Sequence, residues 1–136
     1  MTLACFGDLP RGLFATERPA LRILIVDQEY LVAMEVERIL QDVGGYKVRI
    51  AMSWELPVAL NDEMPDIILI DSALADDSRV RPLLINAGAS IVLLSFRASD
   101  LSGVPAWPGA PVIVKPFDDD QVIRAVQDAV RARATP

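Results

Sequence analysis

The sequence predicts an α/β domain built on a doubly wound, five-stranded parallel sheet, and three observations support this fold class. Short runs rich in Ile and Val recur from residue 21 onward: Ile23–Val26, Val48–Met52, Ile67–Ile70, Ile91–Leu94 and Val112–Val114. Most of these runs do not alternate with polar residues, which is typical of strands buried on both faces. Segments with helical spacing separate them, and strands that alternate with helices pair in parallel. A length of 136 residues, 52% of them hydrophobic, suits one domain with its own core.

The first two helices are predicted from apolar spacing and from their ends. One apolar stripe predicts a first helix that stops at the pair Gly44-Gly45: Val32, Val36, Ile39, Leu40 and Val43. Ser53 is a candidate cap for a second helix that runs to about residue 64. Pro57 favours a later start, nearer Leu56, because proline suits only the first turn of a helix.

The remaining connections are predicted in the same way. A third helix over 80–87 ends at Gly88, and the spacing of Asp118 and Gln121 predicts a capping box at the start of the last helix. Between the fourth and fifth strands the fourth helix is predicted to be short or missing, with at most one turn near Ala98–Leu101. Five residues in this crossover are incompatible with a regular helix: Gly103, Pro105, Pro108, Gly109 and Pro111.

Composition excludes several classes of function. The chain has 13 basic and 19 acidic residues, a net charge of −6, which argues against nucleic-acid binding because that needs a basic face. No apolar run approaches the roughly 18 residues of a membrane helix. The single cysteine, Cys5, cannot form an internal disulfide and is typical of a reducing, cytoplasmic setting. A chain without histidine has neither a His-type zinc site nor His acid–base catalysis.

Residues 1–20 lack hydrophobic periodicity, and we interpret them as a flexible N-terminal tail before a folded domain over residues 21–133. A docking tail that carries Phe6, Leu13 and Phe14 is the alternative.

The residues directly after the apolar runs are the candidates for chemistry. Asp27 follows the first run, Asp71 the third, Ser95 the fourth and Lys115 the fifth. In an open parallel sheet these positions share one rim, where ligands bind outside the carboxyl ends of the strands. Two carboxylates at close range repel each other, so the set requires a cation, and its oxygens suit Mg²⁺. With the hydroxyl and the ammonium, such a site can hold a phosphoryl group.

Three motifs in this order resemble the receiver domain of two-component response regulators. They are Ile23-Leu24-Ile25-Val26-Asp27-Gln28-Glu29-Tyr30, Pro65-Asp66-Ile67-Ile68-Leu69-Ile70-Asp71 and Val114-Lys115-Pro116-Phe117. The resemblance covers residues 21–133 and implies a flavodoxin-like sheet of strand order 2-1-3-4-5.

The resemblance also implies a role for each residue on the rim. Asp71 would be the phosphoacceptor, taking a phosphoryl group from a sensor histidine kinase or a phosphotransfer protein. Asp27, Asp71 and the backbone carbonyl of Ala73 would hold Mg²⁺. Ser95 would hydrogen-bond the phosphoryl oxygens, and Lys115 would pair with their charge.

The sequence departs from the receiver pattern at several positions besides the missing helix: Gln28, Ala75, Phe96 and Val112. Gln28 stands where a second metal-binding carboxylate is usual, so we expect it to contribute weakly, directly or through water. Val112 replaces the usual aromatic switch residue. Trp107, the large aromatic of the crossover, either anchors a partner or covers the core where the helix is missing.

The leading hypothesis is a single-domain response regulator in a phosphorelay, not an enzyme beyond its own phosphorylation and dephosphorylation. Its expected partners are a sensor histidine kinase or phosphotransfer protein and a downstream protein. We expect it to bind neither nucleic acid nor a membrane. The sequence does not decide whether it forms a homodimer. One alternative is a pseudo-receiver that binds a partner without phosphorylation. A remote alternative is a haloacid-dehalogenase-type phosphatase with Asp27 as nucleophile and Asp118-Asp119 as metal ligands.

Overall fold

The computed structural model describes residues 20–134, so the tail predicted over residues 1–20 lies, except for residue 20, outside the described residues. Strands and helices alternate along the chain as β1 Leu21–Val26, α1 Tyr30–Val43, β2 Tyr46–Ala51, α2 Leu56–Asp62, β3 Ile67–Asp71, α3 Ser72–Ala75, α4 Arg81–Ala87, β4 Ser90–Ser95, β5 Val112–Val114 and α5 Asp119–Ala134. Two 3₁₀ helices, Ser53–Glu55 and Ala98–Ser102, precede α2 and follow β4.

The five strands form one parallel sheet in the order β2-β1-β3-β4-β5, which confirms the predicted class and strand order. Strand β3 lies at the centre, and all its residues are buried. The order reverses beside β1, whose neighbours are β2 and β3. The carboxyl ends of β1 and β3 therefore meet at the point where ligands bind in such sheets.

Each face of the sheet buries its own apolar cluster. The cluster beneath α1 and α5 includes Ile25, Leu69 and Val126, and the cluster on the opposite face includes Leu24, Ile68 and Leu84. Adjacent residues of one strand thus enter different clusters, because side chains alternate across a strand. Burial on both faces explains why these strands read as continuous apolar runs.

Two local predictions need correction. The edge strand β2 is not buried on both faces, since Lys47 and Arg49 are exposed in alternation with half-buried residues. Ser53 does not cap the second helix. Instead, the carboxylate of Glu55 accepts a hydrogen bond from the Met52 backbone N–H at 2.8 Å, and α2 begins at Leu56 with a proline in its first turn.

The crossover between β4 and β5 is irregular, as predicted, and its one helical turn is the 3₁₀ helix Ala98–Ser102. Trp107 packs against the apolar cluster on the Leu24 face and lies beneath the guanidinium of Arg81, 4.7 Å from the ring centre. Trp107 therefore covers the core where the helix is missing. Among the described residues, no helix is both long and apolar enough to span a bilayer.

Leu69→Ala should lower the free energy of unfolding by about 2–5 kcal/mol, because it leaves a cavity at the centre of a close-packed sheet. Leu69 is fully buried, whereas Leu31 on α1 is 79% exposed. The matched variant Leu31→Ala should change stability by less than about 0.5 kcal/mol. Urea unfolding followed by circular dichroism measures both, and equal losses would contradict the described core.

Candidate functional site

The sheet brings the four predicted side chains to one rim. Asp71 and Ser95 end β3 and β4, and Asp27 and Lys115 directly follow β1 and β5. Asp71 pairs in register with Leu94, one residue before Ser95. All four are buried, although such polar groups are usually exposed. Their polar atoms must therefore find hydrogen-bond partners within the protein.

Lys115 joins the two carboxylates. Its Nζ donates to Asp27 Oδ2 at 3.0 Å and to Asp71 Oδ2 at 2.8 Å. The other carboxylate oxygens accept backbone N–H groups, Asp27 Oδ1 from Glu29 and Asp71 Oδ1 from Ala73, both at 2.8 Å. Every carboxylate oxygen thus accepts a hydrogen bond, and the trio carries a net charge of −1 by counting its formal charges, 1 − 2.

The surroundings of Lys115 keep it protonated. Burial lowers the pKa of the ammonium, but its hydrogen bonds to Asp71 and Asp27 and their charges outweigh burial, so the pKa is raised above its ordinary value. Nζ also lies 4.3 Å from the ring centre of Phe96, a distance at which the face of an aromatic ring attracts a cation. Lys115 is therefore a fixed positive charge at the rim.

Ser95 is at the rim, but its hydroxyl donates to neither Asp27 nor Asp71. Ser95 Oγ donates to Asp100 Oδ2 at 2.6 Å and accepts the backbone N–H of Arg97 at 3.0 Å. Asp100, on the 3₁₀ helix of the crossover, is buried. Asp100 was not among the predicted site residues, because an Asp in a Gly- and Pro-rich crossover looks like an exposed loop residue.

The site includes oxygen donors of the kind that Mg²⁺ prefers. Each carboxylate oxygen of Asp27 and Asp71 accepts one hydrogen bond in the described contacts and has a further lone pair for a hard cation. Within residues 20–134, no three His, Cys, Asp or Glu side chains are grouped to hold a metal ion. Gln28 is exposed beside Asp27. Further ligands would therefore be neutral oxygens, such as the Gln28 amide, the Ala73 carbonyl and water.

Asp71 opens to a cavity of about 370 Å³ at the carboxyl end of the sheet. Besides Asp71, the cavity is lined by Ser72, Ala73, Asp76, Ser95, Phe96, Arg97, Asp100 and Val104. A small anionic group bonded to the Asp71 carboxylate can occupy it. Asp27 is almost fully buried and does not line this cavity.

The acidic residues required by the phosphatase alternative have other partners. Asp118 Oδ1 accepts the Gln121 N–H at 2.9 Å, and the Gln121 side chain accepts the Asp118 N–H at 2.8 Å. This confirms the capping box. Asp119 pairs with Arg38 at 3.3 Å. These contacts argue against the phosphatase alternative, in which Asp118 and Asp119 would be metal ligands.

Lys115→Met should lower the free energy of unfolding at pH 7 by about 3–5 kcal/mol, because it leaves two buried carboxylates without a cation. The exposed Lys47 pairs with Glu63 at the surface, so the control Lys47→Met should cost about 1 kcal/mol or less.

The same comparison has a defined pH dependence. Because folding raises the pKa of Lys115, the stability that it contributes is fully present below its unfolded pKa of about 10.4. It is lost as the pH rises through the higher folded pKa. Urea titrations at increasing pH should therefore show wild type and Lys115→Met converging above about pH 10. A gap of constant size at high pH would contradict the ion-pair assignment.

No family model and no curated protein sequence matches the chain. Solved structures do match it. A double mutant of the anti-anti-sigma factor PhyR from Bartonella quintana is 23% identical with a TM-score of 0.71, over 86% of this chain and 51% of that one. A response regulator receiver protein from Sinorhizobium medicae is 24% identical with a TM-score of 0.67, over 84% and 97% of the two chains.

The chemotaxis response regulator CheY4 of Vibrio cholerae is 21% identical with a TM-score of 0.63, over 80% of this chain and 98% of its own. The chain thus spans about half the length of PhyR and nearly all of the two receiver proteins. The chain has the fold of response regulator receiver domains.

Proposed function

We propose that this chain is a receiver in which Asp71 accepts a phosphoryl group from the phosphohistidine of a sensor histidine kinase or a phosphotransfer protein. One observation carries the proposal. Lys115 bridges Asp27 and Asp71 at the carboxyl end of a receiver-like sheet, and of the two carboxylates it is Asp71 that lines the open cavity. A structural ion pair needs no such opening.

The transfer is a substitution at phosphorus. A carboxylate oxygen of Asp71 attacks the phosphorus and forms a P–O bond as the P–N bond to the imidazole breaks. The leaving nitrogen keeps the electron pair, and the product is an acyl phosphate on Asp71. The Ala73 N–H holds the Asp71 carboxylate in place, and Lys115 supplies positive charge beside the added anionic oxygens.

Mg²⁺ would supply further positive charge for the phosphoryl oxygens when bound. Asp27, Asp71 and the Ala73 carbonyl would hold it, with Gln28 as a weak contributor. Because the receiver pattern has a carboxylate where this chain has Gln28, we expect weaker binding than such a carboxylate would give.

The surface beside the cavity suits a protein partner. Leu31 is 79% exposed and Phe96 is 65% exposed. Both line an apolar hollow of about 360 Å³ that also reaches Lys115. Exposed apolar groups next to a site typically mark a protein–protein contact. The phosphodonor protein would contact this surface while its phosphohistidine reaches Asp71 in the neighbouring cavity.

The pseudo-receiver remains a second candidate because of the Ser95 hydroxyl. Its one proton is donated to Asp100 and is therefore not available to a phosphoryl group in this conformation. A pseudo-receiver would bind its partner through the same apolar surface without forming an acyl phosphate.

Asp71→Asn should abolish phosphorylation by a small acyl-phosphate donor in the presence of Mg²⁺, because a side-chain amide is a much weaker nucleophile than a carboxylate. Asp76, which lines the same cavity and is exposed, provides the matched variant Asp76→Asn, which should retain labelling. Mass spectrometry of the intact protein and its peptides detects the acid-stable, base-labile adduct. Label at the wild-type level on the Asp71→Asn variant would contradict the assignment, and no label on wild type would favour the pseudo-receiver.

Gln28→Asp should tighten Mg²⁺ binding about tenfold, since one added charge beside a dication contributes about 1–3 kcal/mol. Gln41→Asp adds the same charge at an exposed position farther along α1 and should have little effect. Isothermal titration calorimetry measures both affinities. Unchanged or weaker binding in Gln28→Asp would remove Gln28 from the metal site.

A further inference from the structure

Asp100 accepts the one hydroxyl proton that Ser95 could donate to a phosphoryl group. The Ser95 hydroxyl donates to Asp100 Oδ2 at 2.6 Å, and the two residues are only 2% and 9% exposed. A hydrogen bond from a hydroxyl to a buried carboxylate is among the stronger kinds in proteins. Serine has one hydroxyl proton, so Ser95 cannot donate to Asp100 and to a second acceptor at the same time.

A phosphoryl group on Asp71 would be that second acceptor. Asp71, Ser95 and Asp100 all line the same cavity, so the anionic oxygens of the group would lie near both the hydroxyl and the Asp100 carboxylate. If Ser95 turned to the phosphoryl group, Asp100 would lose its buried donor. Its described cationic partner would then be Arg97, whose Nε is 3.7 Å away on a side chain that is 80% exposed.

We propose that Asp100 is a positioning residue that withholds the Ser95 hydroxyl from a phosphoryl group on Asp71. The phosphoryl group and the 3₁₀ helix Ala98–Ser102 thus compete for one proton. This inference rests on the proposed function, since it concerns the same acceptor site.

The competition also connects the site to the surface. Asp100 lies within the 3₁₀ helix, where its backbone N–H bonds Arg97 O at 3.0 Å and its carbonyl accepts the Gly103 N–H at 2.9 Å. The hydrogen bond from Ser95 therefore ties this short helix to the end of β4. When the Ser95–Asp100 hydrogen bond breaks, the 3₁₀ helix and its exposed Leu101 are no longer held to β4 by that bond. A partner that contacts the helix would detect the change.

Beryllofluoride, which mimics a phosphoryl group on a carboxylate, provides the test. With Mg²⁺ present, Asp100→Ala should bind it about tenfold more tightly than wild type, because Ser95 no longer has to leave a buried charge-assisted hydrogen bond. Asp100→Asn keeps the shape and a weaker acceptor, so its affinity should fall between the two. Fluorine NMR gives the dissociation constants, and thermal unfolding verifies that each variant is folded.

Two controls separate this role from simple loss of negative charge. Asp76→Ala removes a carboxylate from the lining of the same cavity and should tighten binding much less. In a Ser95→Ala background, Asp100→Ala should change the affinity less than about twofold, because the two residues act as one unit. Equal tightening by Asp76→Ala, or a full gain without Ser95, would overturn the proposal.

The results also distinguish failure of the Asp100 role from failure of the proposed receiver function. If wild type binds beryllofluoride at Asp71 and Asp100→Ala binds no more tightly, Asp100 is not a positioning residue and the receiver function stands. If no variant binds it at Asp71, the receiver function fails and this inference fails with it.

Discussion

One ammonium group holds the site together. The Lys115 Nζ lies in the interior between Asp27 and Asp71, and without it two like charges would be buried side by side. Lys115 follows β5, whereas Asp71 ends β3, and β4 lies between these two strands. The Lys115 side chain must therefore extend past the end of β4 to reach Asp71. Ser95, at the end of β4, is small enough to allow this, and the ring of Phe96 lies against the cation.

Most of the fold could be predicted from the sequence because it depends on local signals. Strand β3 reads as an unbroken apolar run since it is buried on both faces, and the capping box at Asp118 depends on two residues three apart. The predicted strand order places β2 at an edge, as the structure does, but its apolar run did not reveal the alternating exposure of Lys47 and Arg49. The predicted cap at Ser53 is absent because the Glu55 carboxylate accepts the hydrogen bond from the Met52 backbone N–H at the start of this segment.

The site was predicted in part, for a related reason. The topology rule placed Asp27, Asp71, Ser95 and Lys115 on one rim, and the structure puts them there. The direction of the Ser95 hydroxyl could not be predicted, because it depends on Asp100 in a crossover without periodicity. The buried Asp100 carboxylate thus determines where the Ser95 hydroxyl donates, and no residue spacing in the sequence indicates this.

The crossover between β4 and β5 is where this domain departs most from the regular alternation of strands and helices. In place of a helix, this chain has a short 3₁₀ turn and a loop fastened by Trp107 against the core. Val112, on β5, also packs against that face instead of offering a mobile aromatic ring. A signal that leaves Asp71 through such a domain would travel by the hydrogen bond at Ser95, since a loop with few regular backbone bonds is reordered by small energies.

The buried ammonium can be observed directly, because the chain has two lysines, Lys47 and Lys115. In a sample labelled with ¹⁵N at lysine side chains, Lys115 should give a sharp ammonium signal whose protons exchange slowly with water. Lys47 is mostly exposed and should exchange rapidly. Binding of beryllofluoride should shift the Lys115 signal and leave that of Lys47 in place. Two signals that exchange equally fast, or a Lys115 signal insensitive to the ligand, would contradict the central role of the Asp27–Lys115–Asp71 contact.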